Sequence, residues 1–384
     1  MYFTRLRLNN WRNFVAVDLA LGERLFITGP NASGKSNLLD VFRFLRDIAK
    51  DGGGLQQAVR ERLGLTKIRC LAARSHPVVG IDVELSETTD STPATWRYAL
   101  GLRQEQRGSR RVMLTYERVW HEGQQILDRP DTADKVDDQR LTQTHVEQIA
   151  SNKEFRAIAE TFQKTLYLHL VPQLLKHPGL ANRDVAIDDP FGLRFLERVM
   201  ETPEKTRKAR LTKIEQALKA VVPELQQLTD TRDERGHPHL EALYVHWRLH
   251  GGRQREDQFS DGTLRLIGML WALLEVDSLL LLEEPELSLH PAIVAKLPSL
   301  MWRLQKARQR QVIVTSHSSE FFSDRGIRPH EVALLQPHGS EGTEVCLASA
   351  KQDIRLLLEG GMTMAEAVLP STAPAMAEQL VLFR

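Results

Sequence analysis

Cysteine is scarce: Cys70 and Cys346 stand far apart, and neither has His or Cys at ligand spacing. This excludes a disulfide framework and a structural zinc site, and it points to a reducing, cytoplasmic setting. Net charge is also missing. The 51 Lys and Arg against 50 Asp and Glu leave +1, so no global field draws the chain to nucleic acid or membrane, and any such contact has to come from local patches. Long apolar runs are absent too. The longest, Leu266 to Leu274, is far short of the ~20 residues that span a bilayer. The opening Met1-Tyr2-Phe3-Thr4-Arg5-Leu6-Arg7 meets charge too early for a signal peptide, so a soluble protein is expected. No internal repeat or low-complexity tract interrupts the 384 residues, a length that allows a large core.

What is present is a phosphate cradle. Gly29-Pro30-Asn31-Ala32-Ser33-Gly34-Lys35-Ser36 follows the apolar Leu25-Phe26-Ile27 and precedes Asn37-Leu38-Leu39-Asp40-Val41-Phe42, which gives the order strand, glycine loop, helix. Loop N–H groups and the positive end of the helix surround phosphates, and glycine lets the backbone approach where a side chain would clash. Lys35 is placed to neutralise the β and γ phosphates, and the Ser36 hydroxyl to ligate Mg²⁺. ATP or GTP is the expected ligand.

Residues 1–28 alternate as strands do, with Phe3, Leu6 and Leu8, then Val15, Val17 and Leu19, then Leu25 to Thr28. The helix after the loop is expected to run to about Ala49 and to stop at Asp51-Gly52-Gly53-Gly54. Further strands are predicted at Val78 to Leu85, Trp96 to Leu102 and around Val112 to Trp120. From about Asp128 to Gly236 the texture becomes charged and helix-favouring, without the heptads of a coiled-coil arm. Pro172, Pro178, Pro190, Pro203 and Pro223 divide it, so a compact helical insertion is expected. Strand character returns at Leu240 to Leu249 before a turn at Gly251-Gly252.

Three motifs follow. Phe259-Ser260-Asp261-Gly262-Thr263 opens an apolar helix, where Ser supplies an N-cap and the free N–H groups suit an anion. Leu279-Leu280-Leu281-Leu282-Glu283-Glu284-Pro285 is an apolar strand ending in two carboxylates, one for the Mg²⁺ sphere and one for the attacking water. Adjacent strand side chains point to opposite faces, so the two acids can take different jobs only where the backbone turns. Gln311-Val312-Ile313-Val314-Thr315-Ser316-His317-Ser318 ends a second apolar strand on a histidine that suits the γ-phosphate or the water.

Together these segments resemble the ATPase head of the ABC superfamily, in the branch of SMC, RecF and OLD-like ATPases: Walker A at 29–36, signature at 260–263, Walker B at 279–284 and switch histidine at 317. Glu283-Glu284-Pro285-Glu286 with Leu289-His290-Pro291, Asn31 and Asn37 beside the cradle, and the opening Leu6 to Phe14 are similar to AAA-type defence ATPases of that branch. The resemblance covers the first hundred residues and about 240–340. It implies an α/β fold: a mixed β layer plus a parallel-sheet P-loop core, with a helical insertion. The expected division is 1–127 and 237–350 for the two parts of the head, 128–236 for the insertion and 351–384 for a C-terminal helical tail.

The same resemblance implies the site. Gly29, Pro30, Asn31, Ala32, Ser33, Gly34, Lys35, Ser36 and Asn37 hold the phosphates, Ser36 and Glu283 hold Mg²⁺, Glu284 is the general base and His317 the switch. Arg12 and Asn13 lie near the α-phosphate or base. In the family, two heads dimerise so that the signature of one, here Ser260, Asp261 and Gly262, completes the γ-phosphate site of the other. This chain departs from the pattern in two ways. Glu283 stands where most members carry Asp and reaches Mg²⁺ directly or through water, and the signature has one glycine of the usual pair.

The expected role is an ATP-hydrolysing switch that acts on DNA or controls an effector, in anti-phage defence or DNA repair. The residues after Glu344 are too few for the Toprim nuclease of OLD-like proteins, so a nuclease or toxin partner is expected on a separate chain. The alternative is an ATP-dependent scaffold that hydrolyses little and docks a partner. A transporter subunit is disfavoured by the N-terminal pattern and the Glu-Glu-Pro-Glu segment. DNA contact would rest on two basic clusters, Arg103, Arg107, Arg110 and Arg111, and Lys205, Arg207, Lys208, Arg210 and Lys213; the second spreads around most of a helix surface, and a solvated face is its favoured reading.

Overall fold

Strand alternation at the N-terminus builds an antiparallel layer. β1 (Tyr2–Trp11) and β2 (Phe14–Ala20) form a hairpin with Trp11 opposite Phe14, and Arg12 takes the left-handed conformation (φ 54°) that its tight turn requires. β3 (Arg24–Thr28) leaves for a second sheet, while β4 (Val79–Ser86), β5 (Trp96–Gln104), β6 (Val112–His121) and β7 (Gln124–Arg129) extend the layer in the order β2-β1-β4-β5-β6-β7. The structure, a computed structural model, describes residues 1–73, 77–105, 110–176, 189, 191–245, 252–275 and 278–372.

The second sheet carries the motifs. It contains β8 (Leu166–Leu168), β12 (Leu280–Glu283), β13 (Val312–Thr315), β14 (Val332–Pro337) and β15 (Thr343–Leu347) in the order β15-β14-β3-β13-β12-β8, parallel except for β15. Its central strands read as unbroken apolar runs because both faces are covered. Leu25, Ile27, Leu281 and Ile313 face one core, whereas Phe26, Leu280, Leu282, Val312 and Val314 face the other. The first core lies toward α1 (Lys35–Ala49) and the antiparallel layer, with α2 (Leu55–Glu61), α3 (Leu65–Ile68) and α5 (Arg156–Gln163) around it, while α4 (Thr132–Val136) is held by the pairing of its buried Asp134 with Arg129 of β7. Phe3 of the layer meets Phe42 of α1 edge to face, with centroids 5.1 Å apart.

The second core gathers α6 (Pro172–Lys176), α7 (Phe195–Glu201), α8 (Glu204–Leu218) and the apolar α9 (Asp261–Leu274), together with α10 (Pro291–Val294), α11 (Leu297–Arg308), α12 (Ser319–Phe322), α13 (Gln352–Glu359) and α14 (Met364–Val368). A third, three-stranded sheet, β11 (Gly252–Arg255), β10 (Pro238–Tyr244) and β9 (Leu225–Arg232), packs beside α7 and α8. Trp271 of α9 is fully buried; truncating such a side chain to Ala costs about 3–5 kcal/mol.

Helix α1 ends at Ala49 as its sequence predicts, and β4, β5 and β6 lie at the expected places. The stretch 128–236, read as helical, is corrected in two places. β8 pairs with β12 and joins the parallel sheet, and β9 begins at Leu225, inside a stretch read as helix to Thr229. A three-residue strand leaves no alternation to read, and tertiary pairing decided its conformation. Residues 246–249 of the expected strand, Gly251 of the turn, Arg107, Pro178, Pro190 and the tail beyond 372 lie outside the described residues.

Candidate nucleotide site

The order of the parallel sheet brings the carboxyl ends of β3, β13 and β12 side by side, the edge where α/β sheets bind ligands. The loop leaving β3 turns through Ala32 (φ 63°) and Gly34 (φ 102°), and Gly34 accepts the first hydrogen bond of α1 from Leu38 N–H at 2.9 Å. A Cβ on Gly29 would lie 2.7 Å from both the Leu335 carbonyl and Ser33 Oγ, so only glycine lets the loop pass there. Ser33 Oγ is buried and has no hydrogen-bond partner. Lys35 is 8% exposed, and its ammonium donates to the carbonyls of Gly29 (3.0 Å) and Pro30 (3.2 Å). Burial pulls its pKa down, against the opposing charges of Glu284, Glu283 and Glu286.

Asn13 and Arg12, expected near the α-phosphate or base, make contacts within the protein. Asn13 Nδ2 donates to the Ser33 carbonyl (2.6 Å) and to Thr343 Oγ1 (2.7 Å), while its Oδ1 accepts from Asn37 Nδ2 (2.9 Å). The turn of the β1–β2 hairpin therefore braces the phosphate loop and ties it to β15. Arg12 reaches Asp40 of α1 at 2.9 Å and the Lys67 carbonyl at 3.2 Å. Burial pushes the Asp40 carboxyl up, but Arg62 and Arg12 outweigh it and hold its pKa below the ordinary value.

At the end of β12 the two carboxylates part. The Ser36 hydroxyl donates to Glu283 Oε1 and the Tyr167 hydroxyl to Glu283 Oε2, so two elements grip one carboxylate. Tyr167 stands opposite Leu281 on β8, with the Arg43 guanidinium 4.2 Å over its ring. Burial, then the charge of Glu283, raises the Tyr167 phenol pKa, which keeps it a donor. Ser36 and Glu283 offer the hard oxygen set that Mg²⁺ takes, so the residues present fit the metal as well as the phosphates. His169 Nδ1 lies 3.2 Å from the Glu283 carbonyl.

Glu284 adopts φ 45°. This left-handed turn resolves the strand-face problem of adjacent acids, because Glu284 no longer follows the pleat. Its N–H donates to the Thr315 carbonyl at 3.1 Å, and His317 Nδ1 stands 3.3 Å from Glu284 Oε1. The signature is built as expected at its first residue: Ser260 N-caps α9 through the Thr263 N–H at 3.1 Å. Asp261 is paired with Lys176 of α6 at 2.7 Å and also takes the Gln173 amide. Gly262 packs so closely on the segment after Walker B that a Cβ would come 2.7 Å from the Ser288 carbonyl. Among the described residues, no hydrogen bond or ion pair joins Ser260, Asp261 or Gly262 to residues 29–36 of the same chain.

Tyr167, His169, Gln173 and Lys176 escaped sequence reasoning because they sit on or just after β8. The adjacency of that strand to Walker B was the missing signal. In the basic cluster at 205–213, three of the five cations have partners. Arg207 pairs with Asp230 (3.0 Å), Arg210 donates to the Glu275 carbonyl (3.0 Å) and Lys208 pairs with Glu204 (2.5 Å).

A loop of this geometry, a divided carboxylate pair and a capped helix on one parallel sheet have the arrangement of a P-loop ATPase head. The chain belongs to the family described as "AAA domain, putative AbiEii toxin, Type IV TA system", which matches residues 25–323. Among solved structures it is similar to an SMC head bound to the C-terminal winged-helix domain of ScpA, with a TM-score of 0.53 and 13% identity over 90% of this chain and 97% of that one. It also matches the SMC head domain of Thermotoga maritima, with a TM-score of 0.47 and 11% identity over 90% and 99%. At these identities the likeness concerns the fold, and it rests on the first of the two. No curated protein matches the sequence. Among the described residues no helix is long and apolar enough to cross a membrane.

Proposed function

We propose that the chain is an ATP-hydrolysing switch whose heads pair on ATP and whose state controls a separate effector, such as a nuclease or toxin, or acts on DNA, in anti-phage defence or DNA repair. The observation that carries the reading is the turn at Glu284, which frees one carboxylate beside His317 while Ser36 and Tyr167 retain the other. Bound Mg²⁺ supplies charge neutralisation for the phosphates. Lys35 and the loop amides hold and orient them, and Glu284, in contact with His317, accepts a proton from the attacking water. Among the described residues the Ser260-Asp261-Gly262 segment bonds only to neighbours outside residues 29–36, which supports a composite site completed by a second copy.

The test compares two variants. Glu284→Gln is expected to bind ATP normally and to turn over about 10²-fold more slowly, the scale of losing a positioned base. Lys35→Ala is expected to lose ATP binding in calorimetry. Turnover at the wild-type rate in Glu284→Gln, or undiminished binding in Lys35→Ala, would refute the assignment.

A further inference from the structure

The proposed mechanism leaves one buried acid of the Glu-Glu-Pro-Glu run unused. Glu286 is 8% exposed, its Oε1 accepts from the Ser316 hydroxyl at 2.6 Å, and its Oε2 is buried with no hydrogen-bond partner. A buried carboxyl with a bare oxygen costs stability, and such costs collect where a geometry is being held.

The geometry it holds can be traced atom by atom. Ser316 is fully buried; its single hydroxyl proton goes to Glu286, so its lone pairs are left to accept, and one takes the Ser318 N–H at 3.1 Å. The Ser316 N–H donates to the Ile27 carbonyl at 3.1 Å, which ties the same turn to the strand that carries the phosphate loop. Ser318 in turn N-caps α12 through the Phe321 N–H at 3.2 Å. Both flanks of His317 are therefore immobilised, and its ring is left half-exposed beside Glu284. On the other side, Glu286 belongs to the short segment whose Ser288 carbonyl abuts Gly262 at the start of α9.

We propose that Glu286 is a positioning residue: through Ser316 it holds the His317 turn against Glu284, and through its own segment it links that arrangement to the start of the signature helix. Burial raises the Glu286 carboxyl pKa against the Ser316 bond, which suits a group that touches no phosphate. The inference rests on the reading of Glu284 as the base and assigns that reading its supporting shell.

The test uses the full chain with Glu286→Ala, Glu286→Gln and Ser316→Ala. Glutamine keeps an acceptor for Ser316, whereas the two alanines remove the tie. Glu286→Ala and Ser316→Ala are expected to lower kcat by about 10-fold or more, since small misplacements of reacting groups are costly, with ATP affinity within about twofold of wild type; Glu286→Gln is expected to recover most of the rate. In ¹⁵N-histidine-labelled protein, the His317 ring signals are expected to move in both alanine variants and to stay in Glu286→Gln. Wild-type kcat with unmoved His317 signals in Glu286→Ala would overturn the proposal, and so would a glutamine variant as impaired as the alanine. If the wild type itself hydrolyses no ATP, the functional reading fails, while the His317 signals still decide whether the tie exists.

Discussion

Tyr167 donates its hydroxyl to the carboxylate of Glu283, across two neighbouring parallel strands. Ser36 holds the other oxygen of the same carboxylate. A Glu in place of the shorter Asp has one more rotatable bond to restrain, and the Tyr167 contact restrains it. Tyr167→Phe removes that contact and keeps the ring beneath Arg43. The expected outcome is weaker Mg²⁺ binding: the Mg²⁺ concentration for half-maximal ATP binding rises by about 10-fold, the loss of roughly one hydrogen bond to a charged group. Titrating Mg²⁺ in a binding assay with Glu284→Gln as background, where hydrolysis is slow, measures this directly. An unchanged Mg²⁺ midpoint would contradict it.

Gly34 and Asn13 make a steric prediction. A Cβ at Gly34 would lie 2.2 Å from Asn13 Nδ2, and its φ of 102° disfavours any side chain. Gly34→Ala is expected to destabilise the fold by about 1–3 kcal/mol and to weaken ATP binding. Adding Asn13→Ala relieves the clash without relieving the backbone conformation, so binding should recover only in part. Full recovery, or none, in the double variant would contradict this division; urea unfolding and calorimetry report on the two effects.

Asp40 yields a pH prediction. Its carboxyl accepts from Arg62 (3.0 Å) and Arg12 (2.9 Å), and its folded pKa lies below the unfolded one. The stabilisation is therefore complete above the ordinary carboxylate pKa and is lost as pH falls through the depressed folded value. Asp40→Asn is expected to cost about 3 kcal/mol at neutral pH, the lower end for a buried pair that loses one partner, because Arg62 keeps Asp47 at 2.9 Å. Unfolding measured at neutral pH and again in acid should show the difference shrinking. An equal difference at both would refute the assignment.

The reading of the sequence succeeded where chemistry is local. The loop at 29–36, the cap at Ser260 and the strand ends at Glu283 and Thr315 are each set by neighbours in the chain, so residue type and spacing were enough to find them. It fell short where a side chain's partner is distant. Asn13 braces Ser33 and Thr343, partners 20 and 330 residues away in the chain. Tyr167 lay in a stretch of helical texture, because a three-residue strand has no period and declares itself only by pairing with β12. The cluster at 205–213 looked basic in sequence, but Arg207 and Arg210 are neutralised or capped by Asp230 and the Glu275 carbonyl, contacts that no spacing rule contains.

The central claim is that one chain supplies the phosphate loop and another supplies the signature. Mixing two inactive proteins tests it most directly. Lys35→Ala disables the loop of one copy, and Ser260→Arg blocks the signature of the other, so the mixed dimer retains one site with an intact loop from one chain and an intact signature from its partner. The account predicts that each variant alone lacks ATP turnover and that the mixture regains it in a concentration-dependent way. A mixture as inactive as its components, or a Ser260→Arg protein that turns over ATP at the wild-type rate alone, would contradict it.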